Sequence, residues 1–198
     1  IPSKALIHVA SKFEDMRHAA EGGPLGIRLS EPPVLDLSKT VAWKETIVDK
    51  LNGGVGALLK RAKVKVVPGW ATFSNAKTCT VAGSGDPVTI SAEHVILANG
   101  SIPVELPNLP FGGDVLSSTE ALSLAEVPNH LVVVGGGYIG LELGIAFRKM
   151  GANVTVVEAA DRILPIYDDQ LTDPVRKWLE AAGVTVHLGT KAMSFSQG

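Results

Sequence analysis

The segment Leu131–Gly144, LVVVGGGYIGLELG, constrains this chain more than any other. An apolar run of strand type enters a turn with glycine at 135, 137 and 140, and an amphipathic helix leaves it. A Gly-x-Gly-x-x-Gly pattern alone is weak, because glycine is common in turns. Between a strand and a helix, each glycine has a physical task. Gly135 permits the tight turn, Gly137 lets the backbone approach a pyrophosphate, and Gly140 lets the helix lie close to the strand. Exposed N–H groups and the helix dipole then favour a diphosphate at the helix start.

The order after the turn is that of a nucleotide-binding half-sheet. The expected strands are Leu131–Val134, Val154–Val157 and Val184–His187, with helices over Tyr138–Met150 and Gln170–Ala182. This βαβαβ alternation predicts an α/β, doubly wound parallel sheet. Glu158 ends the second strand, 18 residues after Gly140. A carboxylate there can accept both ribose hydroxyls of NAD and repels a 2′-phosphate, so NAD is expected over NADP. Arg162 lies nearby, but an NADP site calls for cations in place of Glu158 itself.

Upstream, Leu6, Val9, Phe13 and Met16 recur at helical spacing, so residues 3–18 read as a helix opened by Pro2 and stopped by Gly22-Gly23-Pro24. A second helix is expected over residues 38–62, with Val41, Val48, Leu51, Val55 and Leu58 on one side. Gly53, Gly54 and Gly56 weaken it by about 1 kcal/mol each relative to alanine. Val64–Val67, Trp70–Phe73, Thr78–Val81 and Val88–Ile90 then read as a small antiparallel β-meander. His94–Ala98 is a continuous apolar run, as expected of a strand covered on both faces. Pro103–Pro110 reads as an extended connection between domains.

Composition excludes several classes. The 198 residues are 45% hydrophobic and 19% charged, as in an ordinary soluble globular protein, and the net charge of −2 suggests neither nucleic acid nor an anionic membrane as partner. No run of roughly 18 apolar residues exists to span a bilayer. One cysteine, Cys79, excludes an internal disulfide and a cysteine-based zinc site. Flanked by Thr78 and Thr80, it reads as a structural thiol on a strand, with a reactive thiol the alternative. The histidines at 8, 18, 94, 130 and 187 lack metal-ligand spacing, and no metal is expected. Lys60, Arg61, Lys63 and Lys65 read as a solvated helix end. The start, Ile1-Pro2-Ser3-Lys4, reads as the interior of a longer chain.

These residues together resemble a known family. IPSKAL at Ile1–Leu6 is similar to the segment that follows the redox-active cysteine pair of dihydrolipoamide dehydrogenases, within the pyridine nucleotide-disulfide oxidoreductases. HVILANGS resembles their ATGS motif, GGGYIGLE their NAD motif, and VVEAADRILP the strand carrying the ribose-binding acid. The resemblance runs in order over essentially the whole chain. With VELPNLPFGG, the wording looks closest to bacterial enzymes of 2-oxoacid complexes.

The resemblance implies two Rossmann-like domains, both incomplete. Residues 1–116 match the later part of the first FAD-binding segment, and residues 117–198 the start of the NAD-binding domain. The first FAD turn and both redox cysteines belong before Ile1. The second FAD segment and an interface domain with a catalytic His–Glu pair belong after Gly198. Lys4 matches a lysine beside the flavin N5 edge that pairs with the glutamate ending the NAD motif, here Glu142. Tyr138 matches a residue that stacks over the flavin and moves aside for nicotinamide. Asn99, Gly100 and Ser101 match a Thr-Gly-Ser that approaches FAD, with Asn99 a departure that keeps donor and acceptor capacity. Ala71 matches a backbone contact near the FAD adenine, and Ala192 one near the NAD adenine. Gly135, Gly136, Gly137, Tyr138, Ile139, Gly140, Leu141, Glu142 and Glu158 complete the expected NAD contacts. The implied reaction reoxidises protein-bound dihydrolipoamide through a disulfide and FAD to NAD. The implied setting is a cytoplasmic homodimer working with the dihydrolipoyl domain of an acyltransferase. Other flavin disulfide reductases, of the mercuric or glutathione type, and a non-catalytic nucleotide-binding module are the alternatives.

Overall fold

The computed structural model describes residues 1–23 and 26–196. Pro24, part of the expected stop after the first helix, lies outside them. In chain order the elements are α1 (Pro2–Ala20), α2 (Leu37–Arg61), β1 (Trp70–Asn75), β2 (Thr78–Ala82), β3 (Val88–Ser91), α3 (Ser118–Ala121), β4 (His130–Val134), α4 (Tyr138–Lys149), β5 (Asn153–Val157), α5 (Asp169–Ala181) and β6 (Thr185–His187). They divide into two compact units, Ile1–Asp49 with Pro103–Gly198, and Lys50–Ile102. Among the described residues no helix is long and apolar enough to cross a membrane.

In the first unit the parallel sheet runs β4-β5-β6, with Leu131 opposite Val154 and Val156 opposite Val186. The three strands and two helices expected after Leu131 are present, each end within a residue or two. The core gathers Phe147 and Ala146 of α4, Val154 and Val156 of β5, Leu179 of α5, Ile163 and Val184. Leu6 and Ala10 bring α1 into the same core against α4. Expectation and structure differ on β4. Val132 and Val134 are exposed, because β4 is an edge strand among the described residues and only one of its faces meets the core.

Helix α1 starts with Pro2 in its first turn, where the missing N–H costs nothing. It ends where Gly22 takes φ +84°, with Gly23 N–H bonded to the His18 carbonyl. Its buried stripe is Ala5, Leu6 and Ala10, while Met16, expected on the apolar face, is exposed. Helix α2 is capped by Asp36, whose Oδ1 accepts the Lys39 N–H at 3.0 Å and the Ser38 hydroxyl at 2.7 Å. These bonds favour the ionised carboxylate and hold its pKa down at about 2, from 3.8.

Leu37, Thr40 and Lys44 are the buried face of α2. Leu51, Val55 and Leu58, expected on that face, are exposed because no described element packs over them. Lys44, whose side chain is only 2% exposed, donates to the Leu122 carbonyl at 2.7 Å and pairs with Glu45 at 2.7 Å. It thus ties α2 to the end of α3. Helix α3 was not foreseen. A capping box nucleates it: the Ser117 hydroxyl accepts from Thr119 N–H and Glu120 accepts from Ser117 N–H. Hydrogen bonding from the Ser117 side chain, and after it from the Glu120 and Ser117 amides, holds the Glu120 pKa below its usual range.

In the second unit β1, β2 and β3 form the expected antiparallel meander, with Phe73 opposite Cys79 and Cys79 opposite Ile90. Two expected strands are absent. At 64–67 the chain is leaving α2 through Lys63, at φ +57°, with Val64 N–H bonded to the Leu59 carbonyl, a helix-ending turn in place of a ladder. The basic run through Lys63 sits at that helix end, where cations suit the dipole. His94–Ala98 is neither a strand nor covered: Ile96 is 89% exposed. A strand exists only in a ladder, and no described residue offers one to this stretch. The Pro103–Pro110 stretch, expected to be extended throughout, is folded by a turn between Leu106 and Leu109, and Leu109 is buried.

Candidate nucleotide site

The turn from β4 to α4 prolongs the parallel ladder and then leaves it. Gly135 N–H bonds to the Val157 carbonyl at 2.8 Å, and Gly135 itself adopts φ +106°. A side chain at Gly140 would stand 2.7 Å from the Gly135 carbonyl oxygen and 2.8 Å from Val133 Cγ1, so α4 approaches β4 at a distance only glycine permits. A side chain at Gly137 would meet nothing within 4 Å. That asymmetry separates a packing glycine from one that leaves the backbone open to a ligand.

Gly137 is also the N-cap of α4, and no side chain caps the helix there. The amides of the first turn, at Tyr138, Ile139 and Gly140, therefore face outward in the way an anion site requires. Leu141, next along, is buried and donates to the Gly137 carbonyl. Tyr138 stands exposed at this end and lines a cleft of about 280 Å³ with Gly137, Glu158, Leu164, Pro165, Ile166 and Tyr167.

Glu158 enters the cleft from the end of β5. Its backbone is tied on the β6 side: Glu158 N–H bonds to the His187 carbonyl at 2.8 Å, and its carbonyl accepts Thr190 N–H, just past β6, at 2.9 Å. The carboxylate is held as firmly. Oε2 accepts the Gly136 N–H at 2.5 Å and Oε1 accepts the Ala160 N–H at 2.7 Å. Two amides thus orient the acid across the glycine turn, leaving lone pairs on both oxygens for hydroxyl donors. Arg162 is engaged elsewhere, with Asp169 and the Pro165 carbonyl, and so braces the loop that forms the far wall.

A second constellation lies at the second turn of α4. Glu142 Oε1 and Lys4 Nζ are 2.5 Å apart, joining α4 to α1 across 138 residues of sequence. Lys4 and Glu142 side chains are 67% and 39% exposed, so the pair is open to a ligand at one side.

The structure therefore brings together Gly135, Gly136, Gly137, Tyr138, Ile139, Gly140, Leu141 and Glu158, with Lys4 and Glu142 beside them. Ala192 is fixed by Asn108, whose amide nitrogen donates to both the Ala192 and Met193 carbonyls at 2.8 Å. Ala71, paired with Val81 on β1, belongs to the second unit, as do Asn99, Gly100 and Ser101, which follow the exposed 94–98 stretch. Sequence reasoning missed the 164–167 wall, whose positive-φ residue, Leu164 at +51°, has no sequence signature. It also missed the Asn108 clasp, which no local pattern announces. Among the described residues no group of three His, Cys, Asp or Glu side chains gathers as a metal site.

Known proteins match this geometry. The chain is 52% identical over its full length to a dihydrolipoyl dehydrogenase of Pseudomonas aeruginosa, covering 42% of that protein. It is 44% identical over 94% of its length to the dihydrolipoyl dehydrogenase of Geobacillus stearothermophilus, covering 39% of it. The chain thus spans about two fifths of the length of these relatives. Among solved structures it superposes in full on 43% of LpdA from Mycobacterium tuberculosis, with TM-score 0.85 and 25% identity. It also superposes in full on 41% of the HOCl-induced flavoprotein disulfide reductase RclA from Escherichia coli, as its Cu(II) complex, with TM-score 0.76 and 27% identity. A family model described as pyridine nucleotide-disulphide oxidoreductase matches residues 1–198. The chain belongs to the pyridine nucleotide-disulphide oxidoreductase family.

Proposed function

We propose that this chain is the nucleotide-facing part of a dihydrolipoyl dehydrogenase. The family works with FAD and a nicotinamide dinucleotide. The reading adds that the dinucleotide is NAD and the electron donor a protein-bound dihydrolipoyl group. The observation that carries it is Glu158, held by two backbone amides at the mouth of an open glycine turn. A fixed carboxylate there accepts the two ribose hydroxyls of NAD and repels the 2′-phosphate of NADP.

The residues of the glycine turn fit the dinucleotide. The first-turn amides of α4 and the bare backbone at Gly137 suit a pyrophosphate, with Gly135, Gly136, Gly140 and Leu141 shaping the turn. Ala192 offers its backbone to the NAD adenine. When bound, the flavin carries electrons between the dithiol and the nicotinamide. Lys4 supplies a positive charge beside it, and Glu142 holds Lys4 in place. Tyr138 is the movable cover of the nicotinamide position. In residues 1–116, assigned to the FAD segment, Ala71 and Asn99–Ser101 contact that cofactor. Residues 117–198 are assigned to the NAD domain. The whole protein then acts as a cytoplasmic homodimer and takes its substrate from the dihydrolipoyl domain of an acyltransferase in a 2-oxoacid complex.

The likeness to RclA favours a second reading, another flavin disulfide reductase. The 52% identity to a dihydrolipoyl dehydrogenase, against 27% there, favours the first. Steady-state kinetics of Glu158→Ala test the central assignment. The Michaelis constant for NADH rises several-fold and discrimination against NADPH falls; an unchanged affinity removes Glu158 from the site.

A further inference from the structure

Helices α1 and α4 lie side by side and run in the same direction. Lys4 meets Glu142, and Ser11 meets Lys149, both across an offset of 138 residues. The two contacts are rungs one heptad apart, about 10 Å along the helix axes. Leu6, Ala10, Leu143 and Ala146, which fall between these rungs on the two packed helices, are all buried in the common core. Two of these are alanines, and a seam containing such short side chains interlocks weakly. Polar contacts then have to fix the register, as a single polar position does in paired helices.

The second rung is built more heavily than the first. Lys149 Nζ lies 2.8 Å from Glu14 Oε2 and 3.4 Å from Ser11 Oγ, and 5.7 Å from the centre of the Trp178 ring of α5. One ammonium therefore joins three helices. The Lys149 and Glu14 side chains are 19% and 29% exposed, against 67% and 39% for Lys4 and Glu142. An ion pair shielded from water is screened less by salt, so the inner rung holds its geometry where the outer one alone does not.

We propose that Lys149 is a positioning residue that sets the register of α1 against α4, and through it the contact between Lys4 and Glu142. This rests on the reading of Lys4 and Glu142 given above. Without the Lys149 rung the helices are free to slide or splay by a fraction of a turn, and a displacement of about 2 Å, less than half of one helical turn, is enough to part the outer pair. Lys149 has no direct contact with the glycine turn, so nucleotide binding survives its loss.

The test uses the full-length protein carrying its cofactors. Lys149→Met slows flavin reduction by NADH by up to about a hundredfold, the order expected of an ångström-scale misplacement, while the KM for NADH stays within about twofold. Glu142→Gln, damaging in the parent, adds less than about twofold to Lys149→Met, because the pair it breaks is already parted. Lys149→Arg restores the rate to within about threefold, since it keeps the charge and stacks on Trp178. Glu14→Gln gives a milder form of the defect without removing the lysine. Full multiplication of the Lys149→Met and Glu142→Gln effects overturns the proposal. A crystal structure of the Lys149→Met protein supplies a readout free of activity, with Lys4 Nζ and Glu142 Oε1 expected beyond salt-bridge reach. An intact contact there overturns the proposal even if the rate falls. A parent rate in Glu142→Gln alone overturns instead the catalytic reading of the pair, and the crystallographic distance then decides the register claim by itself.

Discussion

Replacing Gly140 by alanine puts the packing logic of the turn under direct strain. The new methyl would lie 2.7 Å from the Gly135 carbonyl oxygen and 2.8 Å from Val133 Cγ1. Val133 can rotate, but the Gly135 oxygen belongs to the backbone of the turn and cannot move without opening it. Overpacking of this kind costs about 1–3 kcal/mol, with the upper part of that range expected against backbone. Alanine in a helix returns about 1 kcal/mol relative to glycine. The net expectation is a loss of about 2 kcal/mol, roughly 30-fold in the folding equilibrium, together with weaker NADH binding as the turn deforms. Two neighbours serve as controls. Gly144→Ala places its methyl 3.3 Å and 3.4 Å from the flexible side chains of Val133 and Val154, so the cost and the helical gain nearly cancel. Gly137→Ala meets no atom of the protein within 4 Å, so it costs only the roughly 0.5–1 kcal/mol of a poorer N-cap at the start of α4 and otherwise obstructs the nucleotide. Urea unfolding monitored by circular dichroism and a titration with NADH separate the three. A Gly140→Ala protein as stable as its parent, or a Gly137→Ala protein with full nucleotide affinity, refutes the assignment of roles.

Lys44→Met removes a buried donor to the Leu122 carbonyl and the ion pair with Glu45. A loss of about 1–3 kcal/mol is expected in urea unfolding, with Lys44→Arg intermediate. Asp36 gives a pH test. Its carboxyl is more acidic in the folded chain, so its contribution to the α2 start is complete above the ordinary value of 3.8 and is lost as pH falls toward about 2. A carboxyl carbon NMR titration should show that low midpoint, and Asp36→Asn should abolish this component of the pH dependence. Ser117→Ala removes the hydroxyl that caps α3, and the Glu120 pKa should move back up toward its usual range in the same type of titration.

The legible and illegible parts of the chain separate on physical grounds. The region after His130 carries both its strands and its covering helices, so hydrophobic period and glycine chemistry specify it locally. Gly135 takes the positive φ of a tight turn, Gly140 packs closely against β4, and the space at Gly137 is open. The stretch at 94–98 failed because an apolar run declares a wish for burial but not the presence of partner strands. The outer half of α2 failed in the same way, its spacing correct and its covering surface absent among the described residues. Lys44 and Lys149 were unreadable for a different reason. A lysine on a helix is ordinarily solvated, and only the arrival of Leu122, Glu14 or Trp178 from distant sequence makes it internal. Lys4 and Glu142 were paired beforehand by resemblance, since nothing in their spacing brings 4 and 142 together.

The grip of Glu158 on Gly136 and Ala160 has a bearing on how freely such a protein can change its diet of coenzymes. The same carboxylate that is assigned the choice of nucleotide also supplies the acceptor for an amide inside the glycine turn. Exchanging it for a cation to welcome an extra phosphate would at once deprive the turn of a brace. On the proposed assignment, coenzyme preference and backbone shape are inherited together, and a redesign that reverses the preference has to furnish a substitute acceptor for Gly136 in the same step. Single-site swaps at 158 should yield poor enzymes with either coenzyme before they yield good ones with the other.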